Sequence, residues 1–345
     1  MIFKEQKRAT INDVADRAGV SKRTVSRVIN GSPRVSTSTR ERIEKAIEQL
    51  EFIPNRHARS LAVRRSYLLG MVYDVPTLFV NHFQKGMLNV CEDAGYDVLV
   101  HACHVESDSL IDDVLHFIDR THLDGVVLLP PLSEVTELVA RLDAAGCCYV
   151  RFTSRHSNEP WKLVVTEYVP AICDMTNQLV DLGHHDFAFI TGPPNHVSSQ
   201  MRHEAFVRAL RSQGLDLPPE MVAEGNFTYE SGIRAARALF GRERRPTAIF
   251  AANDEMAFGV MSVANEMGLR IPDDLSVVGF DGTPFSTFVS PPLSTIVRNT
   301  DEMAHLGTQK LLTLVEKGPG AARKFETKVS PRYFPRGSTG PVPAG

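Results

Sequence analysis

Residues 10–31 read TINDVADRAGVSKRTVSRVING, and this stretch carries the signals for two short helices joined by a tight turn. Thr10 followed by Asp13 is a capping-box pattern, so a first helix is expected to begin directly after Thr10. Gly19 is expected to end that helix, because a C-terminal cap usually needs a left-handed backbone that glycine adopts at little cost. Ser21 can then accept from the free amides of the next turn and begin the second helix. The spacing predicts a helix-turn-helix.

The second helix carries three cations on the side opposite its apolar residues. If Val25, Val28 and Ile29 face a core, the cations must point outward near the start of the helix. They are Lys22, Arg23 and Arg27. A recognition helix places such side chains against base edges in the major groove, where lysine and arginine prefer guanine. Double-stranded DNA is therefore the expected partner, with guanine among the bases that these side chains contact. An ordinary helical hairpin with a solvated basic face is the alternative.

Charge is distributed unevenly along the chain. The net charge of the 345 residues is −3, which by itself argues against a nucleic-acid partner. Residues 1–65, however, contain fifteen Lys and Arg against seven Asp and Glu, so they carry +8 and the remainder carries −11. This asymmetry favours a small polyanion-binding module attached to a larger acidic domain with a different task.

A third helix is expected after Ser36, which can serve as its N-cap. Its apolar stripe, which would close a three-helix core, consists of Ile43, Ala46, Ile47 and Leu50. Pro54 ends that helical run. Residues 55–62 contain good helix formers but only one large apolar residue, Leu61, so this segment is expected to fold only on a partner.

Residues 10–62 resemble the headpiece of the LacI/GalR family of bacterial transcription regulators. The matching pieces are Ile11-Asn12-Asp13-Val14-Ala15, Gly19-Val20-Ser21, Thr24-Val25-Ser26-Arg27-Val28 with Asn30-Gly31, Val35-Ser36, and Ile53-Pro54-Asn55 with Ala58, Leu61 and Ala62. The resemblance implies that the third helix is followed by a hinge helix, which pairs with its dimer mate in the minor groove. Leu61 would be the wedge inserted between base steps. The alternative for Leu61 is a linker residue that packs on the next domain.

The resemblance also assigns roles in DNA binding by position. Lys22 and Arg23 would be the variable base readers and Arg27 the more constant one, whereas Ser21 and Asn30 would lie nearer the phosphates. The complete set of expected DNA-binding residues is Thr10, Ser21, Lys22, Arg23, Thr24, Ser26, Arg27, Asn30, Asn55, Arg56, Ala58 and Leu61.

From about residue 66 onward, short apolar runs alternate with amphipathic helices. The runs are Leu68–Tyr73, Asp97–Val100, Gly125–Leu129, Cys147–Val150, Phe187–Ile190, Ala248–Ala251 and Leu275–Val278, with weaker ones at Leu163–Val165 and Ser294–Ile296. Strands buried on both faces have this composition, which indicates α/β structure with parallel sheets between helices. The number of runs suits two sheets better than one.

This part of the chain resembles the effector domain of the same family, which has a two-lobed periplasmic-binding-protein type I fold. The matching motifs are Leu123–Val127, Leu182–His184, Arg202 after Ser198, Pro246–Asp254, Ser276–Asp281 and Pro291–Ile296. The resemblance implies a homodimer. The sequence shows no leucine-heptad tail, so a tetramer formed through such a tail is not expected. The resemblance also implies that a small ligand binds between the lobes.

Polar residues follow several of the predicted strands, where ligands of open α/β sheets bind. Asp74, Asn253 and Asp281 occupy such positions, and the resemblance adds Ser198 and Arg202. These groups offer paired donors and acceptors for sugar hydroxyls. Two aromatic residues, Phe79 and Phe227, could stack on the apolar face of a ring, or they could belong to the core. Asp254 could instead serve as the cap of the helix that follows it.

Departures from the family pattern bear on the identity of the ligand. Thr166-Glu167 replaces an acidic residue followed by Asn, Gly282 replaces a frequent second Asp, and Thr300 stands where some members have an aromatic residue. Arg151 could reach the cleft or pair with an acid. A sugar is therefore implied only by the resemblance, and a nucleoside or another small polar metabolite is the alternative.

Other kinds of chemistry have weak support in this sequence. The five cysteines, Cys91, Cys103, Cys147, Cys148 and Cys173, lack metal-ligand spacing and suggest reduced packing thiols. His101 and His104 are more typical of structural or exposed histidines than of metal ligands. No dinucleotide, phosphate-loop or nucleophile-turn motif is present, so neither enzymatic activity nor a cofactor is expected. The polar N-terminus and short apolar runs predict a cytoplasmic protein without a membrane span.

The sequence thus predicts a transcriptional regulator, expected to be a repressor, whose operator affinity is controlled by a small polar ligand. The expected domains are 1–54 (headpiece), 55–66 (hinge), 67–165 with 297–325 (first effector subdomain), 166–296 with 326–336 (second effector subdomain) and 337–345 (flexible tail). A free solute-binding protein and an α/β enzyme are the rival classes. The first would need an export signal and no headpiece, and the second a recognisable catalytic motif.

Overall fold

The computed structural model describes residues 9–29, 34–52, 65–153, 159–325 and 328–342. They fall into two compact units that divide between Tyr67 and Leu68. The predicted Asn30, Asn55, Arg56, Ala58 and Leu61 lie outside the described residues.

The first unit contains three helices, α1 (Ile11–Ala18), α2 (Lys22–Ile29) and α3 (Thr37–Gln49). The capping box predicted at Thr10 is present, because its hydroxyl accepts from the Asp13 amide and the Asp13 carboxylate accepts from the Thr10 amide. Gly19 ends α1 with φ 64° and ψ 41°, the left-handed conformation expected of a C-cap. The amide of Thr24 donates to the Ser21 hydroxyl at 3.2 Å. These local signals are therefore confirmed.

A small apolar core holds the three helices together. Val14, Val25 and Ile43, one from each helix, are fully buried at its centre. Ser36 precedes α3 as predicted, but its hydroxyl donates to the Thr39 hydroxyl at 2.9 Å and makes no cap hydrogen bond. The apolar periodicity of the sequence therefore predicts this core correctly. The predicted capping hydrogen bond of Ser36, in contrast, is not formed.

The second unit consists of two lobes, each built around a six-stranded sheet covered by helices. The strands are β1 (Leu68–Tyr73), β2 (Asp97–Ala102), β3 (Gly125–Leu128), β4 (Tyr149–Thr153), β5 (Leu163–Thr166), β6 (Phe187–Thr191), β7 (Val222–Glu224), β8 (Ala248–Ala251), β9 (Ser276–Asp281), β10 (Ser294–Val297), β11 (Lys328–Val329) and β12 (Arg332–Phe334). The first sheet has the order β11-β5-β4-β3-β1-β2, and the second has the order β12-β10-β9-β8-β6-β7. Pairs are parallel in both sheets of the described chain except that β12 runs antiparallel to β10.

Nine helices accompany these strands in the described part of the second unit. They are α4 (Leu78–Ala94), α5 (Leu110–Thr121), α6 (Thr136–Ala144), α7 (Val169–Asp181), α8 (Val197–Ser212), α9 (Tyr229–Phe240), α10 (Asp254–Glu266), α11 (Thr300–Lys317) and α12 (Pro319–Ala322). Every residue of β3, β5, β8 and β9 is buried, as expected for parallel strands with helices on both faces. The predicted division into two parallel sheets is confirmed.

The chain passes between the lobes three times. It leaves the first lobe between β5 and α7, and it returns between β10 and α11, because α11 packs on α4, β3 and β4. It crosses again between β11 and β12, since these two short strands belong to different sheets. The expectation that residues 326–336 belong to the second subdomain is therefore wrong for Lys328 and Val329, which pair with β5 in the first sheet.

The expected flexible tail, 337–345, is bonded to the second lobe as far as the structure describes it. Ser338 is fully buried, donates to the carbonyl of Val277 at 2.6 Å and accepts from the amide of Ser294 at 2.8 Å. The amide of Val342 donates to the carbonyl of Leu182 at 2.9 Å. The expectation of a flexible tail is therefore wrong for residues 337–342. Hydrogen bonds from the backbone and from hydroxyl groups produce no apolar periodicity, so the sequence pattern could not reveal these contacts.

Candidate effector cavity and DNA-contact face

A cavity lies between the two lobes of the second unit, at the carboxyl ends of the strands. Its empty volume is about 1040 Å³ when the part open to solvent is included. Asp74 and Phe79 line it from the first lobe, whereas Asn253 and Asp281 line it from the second. Because the carboxyl ends of parallel strands meet at one edge of a sheet, residues distant in sequence come together here.

All seven residues predicted to contact an effector line this one cavity. They are Asp74, Phe79, Ser198, Arg202, Phe227, Asn253 and Asp281. The structure thus brings the predicted residues together, and their role in binding stays a prediction.

Arg202 projects from α8 and is only 4% exposed. One of its terminal nitrogens donates to the carbonyl of Ala252, and its guanidinium carbon lies 3.7 Å from the centre of the Phe280 ring. Burial, followed by the charge of Arg298, lowers the pKa of Arg202 to about 10. The side chain therefore remains a cation at neutral pH.

Arg298 is a second buried cation in this cavity, and it is not among the residues predicted from the sequence. Arg298 follows β10 and is 8% exposed. It donates to the Asp281 carboxylate at 3.1 Å, and its guanidinium carbon lies 4.0 Å from the centre of the Phe79 ring. The signal that could have identified it is the one that identified Asp281, a charged residue directly after a buried strand.

Asn253 has a structural task in addition to its place in the cavity wall. Its side-chain oxygen accepts from the amide of Met256 at 3.0 Å, so Asn253 is the N-cap of α10. Its side-chain nitrogen donates to the carbonyl of Phe227 at 2.8 Å, where the backbone has an unusual φ of 67°. Asn253 therefore fixes both the start of α10 and the position of an aromatic side chain in the cavity.

Asp254 is not the helix cap that the sequence allowed. It is fully buried, and one carboxylate oxygen accepts from the amide and the hydroxyl of Thr283 at 2.7 and 3.0 Å. The other oxygen accepts from the Thr295 hydroxyl at 2.6 Å. Burial, followed by the charge of Asp281, raises the pKa of Asp254 to about 7, although these hydrogen bonds act in the opposite direction. Asp254 joins α10 to β10 and to the segment after β9.

Asp74 forms the polar part of the wall on the first lobe. Its carboxylate accepts from the amide of Val105 at 3.3 Å and lies 3.5 Å from a ring nitrogen of His104. A ring nitrogen of His196, from the second lobe, lies 3.9 Å away. Burial is the main cause that lowers the pKa of His196. Asp74 and His196 thus face each other across the boundary between the lobes.

The positions that depart from the family pattern have different surroundings. Thr166 lines the cavity, whereas Thr300 is buried at the first residue of α11. Gly282 has φ 69°, and an added Cβ would meet Val297 at 2.6 Å, so a larger residue would not fit without a shift. Arg151 donates to the carbonyl of Ser133 at 3.2 Å and does not line the cavity.

The predicted DNA-contact residues that the structure describes lie between Thr10 and Arg27. Thr10, Ser21, Lys22 and Arg23 are exposed, whereas Thr24, Ser26 and Arg27 are half-buried. The apolar side of α2 is occupied by buried Val25 and Val28. No acidic residue lies between Lys22 and Ile29, so the outward side of α2 is cationic. This surface can accept phosphates and base edges.

Metal and thiol chemistry gain no support in the described part of the chain. It contains no group of three His, Cys, Asp or Glu side chains that could hold a metal ion. His101 stacks on Phe117 with ring centres 4.4 Å apart. Burial raises the pKa of the Cys91 and Cys103 thiols to about 12. Among the described helices, none is long and apolar enough to cross a membrane.

Comparison with known proteins identifies both units. Residues 10–55 match the bacterial regulatory proteins of the lacI family, and residues 176–339 match the periplasmic binding protein-like domain. Catabolite control protein A of Priestia megaterium is 33% identical over 317 residues, which cover 89% of this chain and 93% of that protein.

Two solved structures are similar to this chain over nearly its whole length. The lac repressor dimer bound to operator and the anti-inducer ONPF has a TM-score of 0.80 and 28% identity, covering 97% of this chain and 100% of that chain. The complex of the transcriptional regulator CelR with cellobiose has a TM-score of 0.69 and 28% identity, covering 96% of this chain and 100% of that chain. This chain therefore belongs to the lacI family of bacterial regulatory proteins and is a DNA-binding transcriptional regulator.

Proposed function

We propose that this regulator is a repressor whose affinity for operator DNA is controlled by a small polar ligand bound between the lobes. A sugar is the first candidate class, and a nucleoside or another small polar metabolite is the second. The observation that carries the proposal is the single cavity lined by all seven predicted effector residues.

A ligand in this position would act on contacts that join the lobes. The amide of Leu78 in the first lobe donates to the Glu255 carboxylate of the second at 2.8 Å. Asn195 of the second lobe donates to the Glu106 carboxylate of the first at 2.9 Å. A ligand that favours one relative orientation of the lobes must favour or oppose these hydrogen bonds, and this differential affinity is what couples binding to a conformational equilibrium.

We further propose that the working molecule is a cytoplasmic homodimer that binds a two-fold operator. In this mechanism, rotation of the lobes changes the separation of the two hinge segments, residues 55–66, at the dimer interface. DNA binding and ligand binding are then linked through one element, so each changes the affinity for the other by the same factor. The lac repressor dimer bound to operator, to which this chain is similar, supports the dimer.

The DNA-binding part of the proposal is tested with the duplex upstream of the protein's own gene. Fluorescence anisotropy at several salt concentrations gives the affinity and its salt slope, with a scrambled duplex for comparison. Lys22→Ala is expected to weaken specific binding by about tenfold or more, because one lysine contact to a base is lost. Lys45→Ala, at another exposed cation on α3, is the matched control. Equal affinity for the two duplexes would contradict the proposal.

The ligand part is tested by repeating the titration with a panel of sugars and nucleosides. One class is expected to change operator affinity by about 5–150-fold, the usual range of allosteric coupling. Arg202→Met should abolish this response while it retains operator binding in the absence of ligand. Arg208→Met changes an exposed arginine on the same helix and should respond like the unmodified protein. A response that survives in Arg202→Met would place the ligand outside the cavity.

A further inference from the structure

The wall of the cavity on the second lobe contains more positive charge than negative. Arg202 and Arg298 are both buried, and their guanidinium carbons lie 3.7 and 5.9 Å from the centre of the Phe280 ring. Asp281, 9% exposed, is the carboxylate that lines the cavity beside them. Among the described residues that line this wall, two cations therefore accompany one carboxylate.

The carboxylate of Asp281 is already committed to one of the two cations. It accepts from Arg298 at 3.1 Å, and its backbone is held at φ 115°, a conformation that costs free energy in a residue with a side chain. In the described part of the chain, no carboxylate lies within ion-pair distance of Arg202. Asp281 and Glu134 act on Arg202 only at longer range.

Asp254 and Asp74, two further acids near the cavity, make their contacts elsewhere. Asp254 lies behind the wall, where Thr283 and Thr295 occupy its oxygens. Asp74 belongs to the opposite wall and faces His104 and His196. Arg202 thus remains a buried cation whose hydrogen bond goes to a neutral carbonyl.

Both guanidinium groups also have a hydrogen-bond donor that is not used. The Nε atoms of Arg202 and Arg298 are buried and have no hydrogen-bond partner. A buried cation without a compensating charge, or with an unmade hydrogen bond, is destabilising, and a bound anion removes both costs. A hydroxyl of a neutral ligand accepts a hydrogen bond but leaves the charge uncompensated. Guanidinium groups match carboxylate and phosphate oxygens in geometry as well.

We infer that the effector is an anion, a polar ring compound with a carboxylate or phosphate group that binds Arg202 beside Arg298. This inference rests on the proposed function and narrows its ligand class from sugars in general to sugar acids, sugar phosphates or similar anions. Arg298 is the residue that determines this preference, because it neutralises Asp281 and leaves the charge of Arg202 for the ligand. The rings of Phe79 and Phe227 supply the apolar surface against which the rest of the ligand packs.

The test compares sets of three compounds that share one ring. Glucose, glucuronate and glucose 6-phosphate form one set, and the galactose and mannose series form two more, with inorganic phosphate as a minimal anion. Isothermal titration of the full-length protein at constant ionic strength gives each affinity. At least one anion is expected to bind about tenfold or more tightly than its neutral counterpart, as a charged hydrogen bond requires. The carboxylate and phosphate arms show which group the site prefers.

Three variants link that preference to Arg298. Arg298→Gln removes the charge, and the anion should lose about tenfold or more in affinity while a neutral sugar changes by less than about threefold. Arg298→Lys retains the charge and should keep most of the preference for the anion, which also checks that substitution does not simply disrupt the lobe. Arg208→Gln, an exposed arginine on α8, is the matched control.

The outcomes separate this inference from the proposed function. The inference is overturned if a neutral sugar binds as tightly as its acid and its phosphate, or if none of the anions shows binding that depends on Arg298. A neutral sugar that changes operator affinity would still support the proposed function. Conversely, anion binding that leaves operator affinity unchanged would uphold the inference and contradict the proposed function.

Discussion

Replacing Asp254 by asparagine should change how the stability of the second unit depends on pH. Asp254 is fully buried, and burial with the nearby charge of Asp281 raises its pKa from 3.8 to about 7. Below pH 3.8 the group is protonated in both the folded and the unfolded chain. As pH rises from 3.8 to about 7, the unfolded chain releases the proton and the folded chain keeps it, so the free energy of unfolding falls. Above about 7 both states are ionised and the loss is constant.

The size of the effect follows from the width of this pH window. One pKa unit corresponds to about 1.36 kcal/mol, so between about pH 5 and pH 8 the native protein should lose about 2–3 kcal/mol through this group. Asparagine has no such titration. The free energy of unfolding of the Asp254→Asn variant, minus that of the native protein, should therefore rise by about 2–3 kcal/mol over that range. A constant effect of the substitution at low pH does not alter this rise.

Urea unfolding at a series of pH values measures this difference. The single tryptophan, Trp161, reports on the first lobe through its fluorescence, and far-UV circular dichroism reports on both lobes. Coincidence of the two transitions establishes that one free energy describes the unit. Asp216→Asn, at an exposed carboxylate near Arg211, is the control for the same substitution at an aspartate that is not buried. A flat difference for Asp254→Asn would show that the hydrogen bonds from Thr283 and Thr295 keep Asp254 ionised, and would refute the reasoning.

Three further predictions concern other parts of the molecule. Glu255→Ala should increase the hydrogen-exchange rate of the Leu78 amide by about tenfold or more, because the 2.8 Å hydrogen bond from this amide to the Glu255 carboxylate is lost. An unchanged exchange rate would show that the carboxylate does not hold that amide. Phe250→Ala should cost about 3–5 kcal/mol in urea unfolding, because its buried ring packs on two other phenylalanines, whereas Phe288→Ala, at a ring that is 77% exposed, should cost less than about 0.5 kcal/mol. Arg27→Ala should cost about 1–3 kcal/mol at one base position of the operator, measured with single-base variants; a flat base preference there would contradict its assignment as a base reader.

Features that depend on neighbouring residues in the sequence could be predicted well. The capping box at Thr10 and the left-handed Gly19 each involve atoms within a few residues, so the residue types determine the geometry. Strands that are buried on both faces, such as β8 and β9, carry their own apolar signal. The positions of the seven cavity residues followed from strand ends and from the family resemblance together.

Features that depend on distant parts of the chain could not be predicted. Asn253 and Asp254 are adjacent polar residues, and either could cap α10 on local grounds. Which one turns inward is decided by Thr283 and Thr295, which come from the loop after β9 and from β10. The pairing of Lys328 and Val329 with β5 is similar, since a two-residue strand has no periodicity to recognise.

The position of Arg298 connects the charge of the ligand with the movement proposed for the lobes. Arg298 follows β10 in the second lobe and precedes α11 in the first, so it lies in a chain crossing, and the next residue, Asn299, has a left-handed φ of 53°. Thr166, also in the cavity wall, ends β5 at another crossing. Rotation of one lobe against the other must be absorbed by the backbone of these crossings, as in other hinge motions. Under the proposed function, an anion held beside Arg298 would contact a hinge segment as well as a binding wall, and control of DNA binding requires that it bind the two lobe orientations with different affinities.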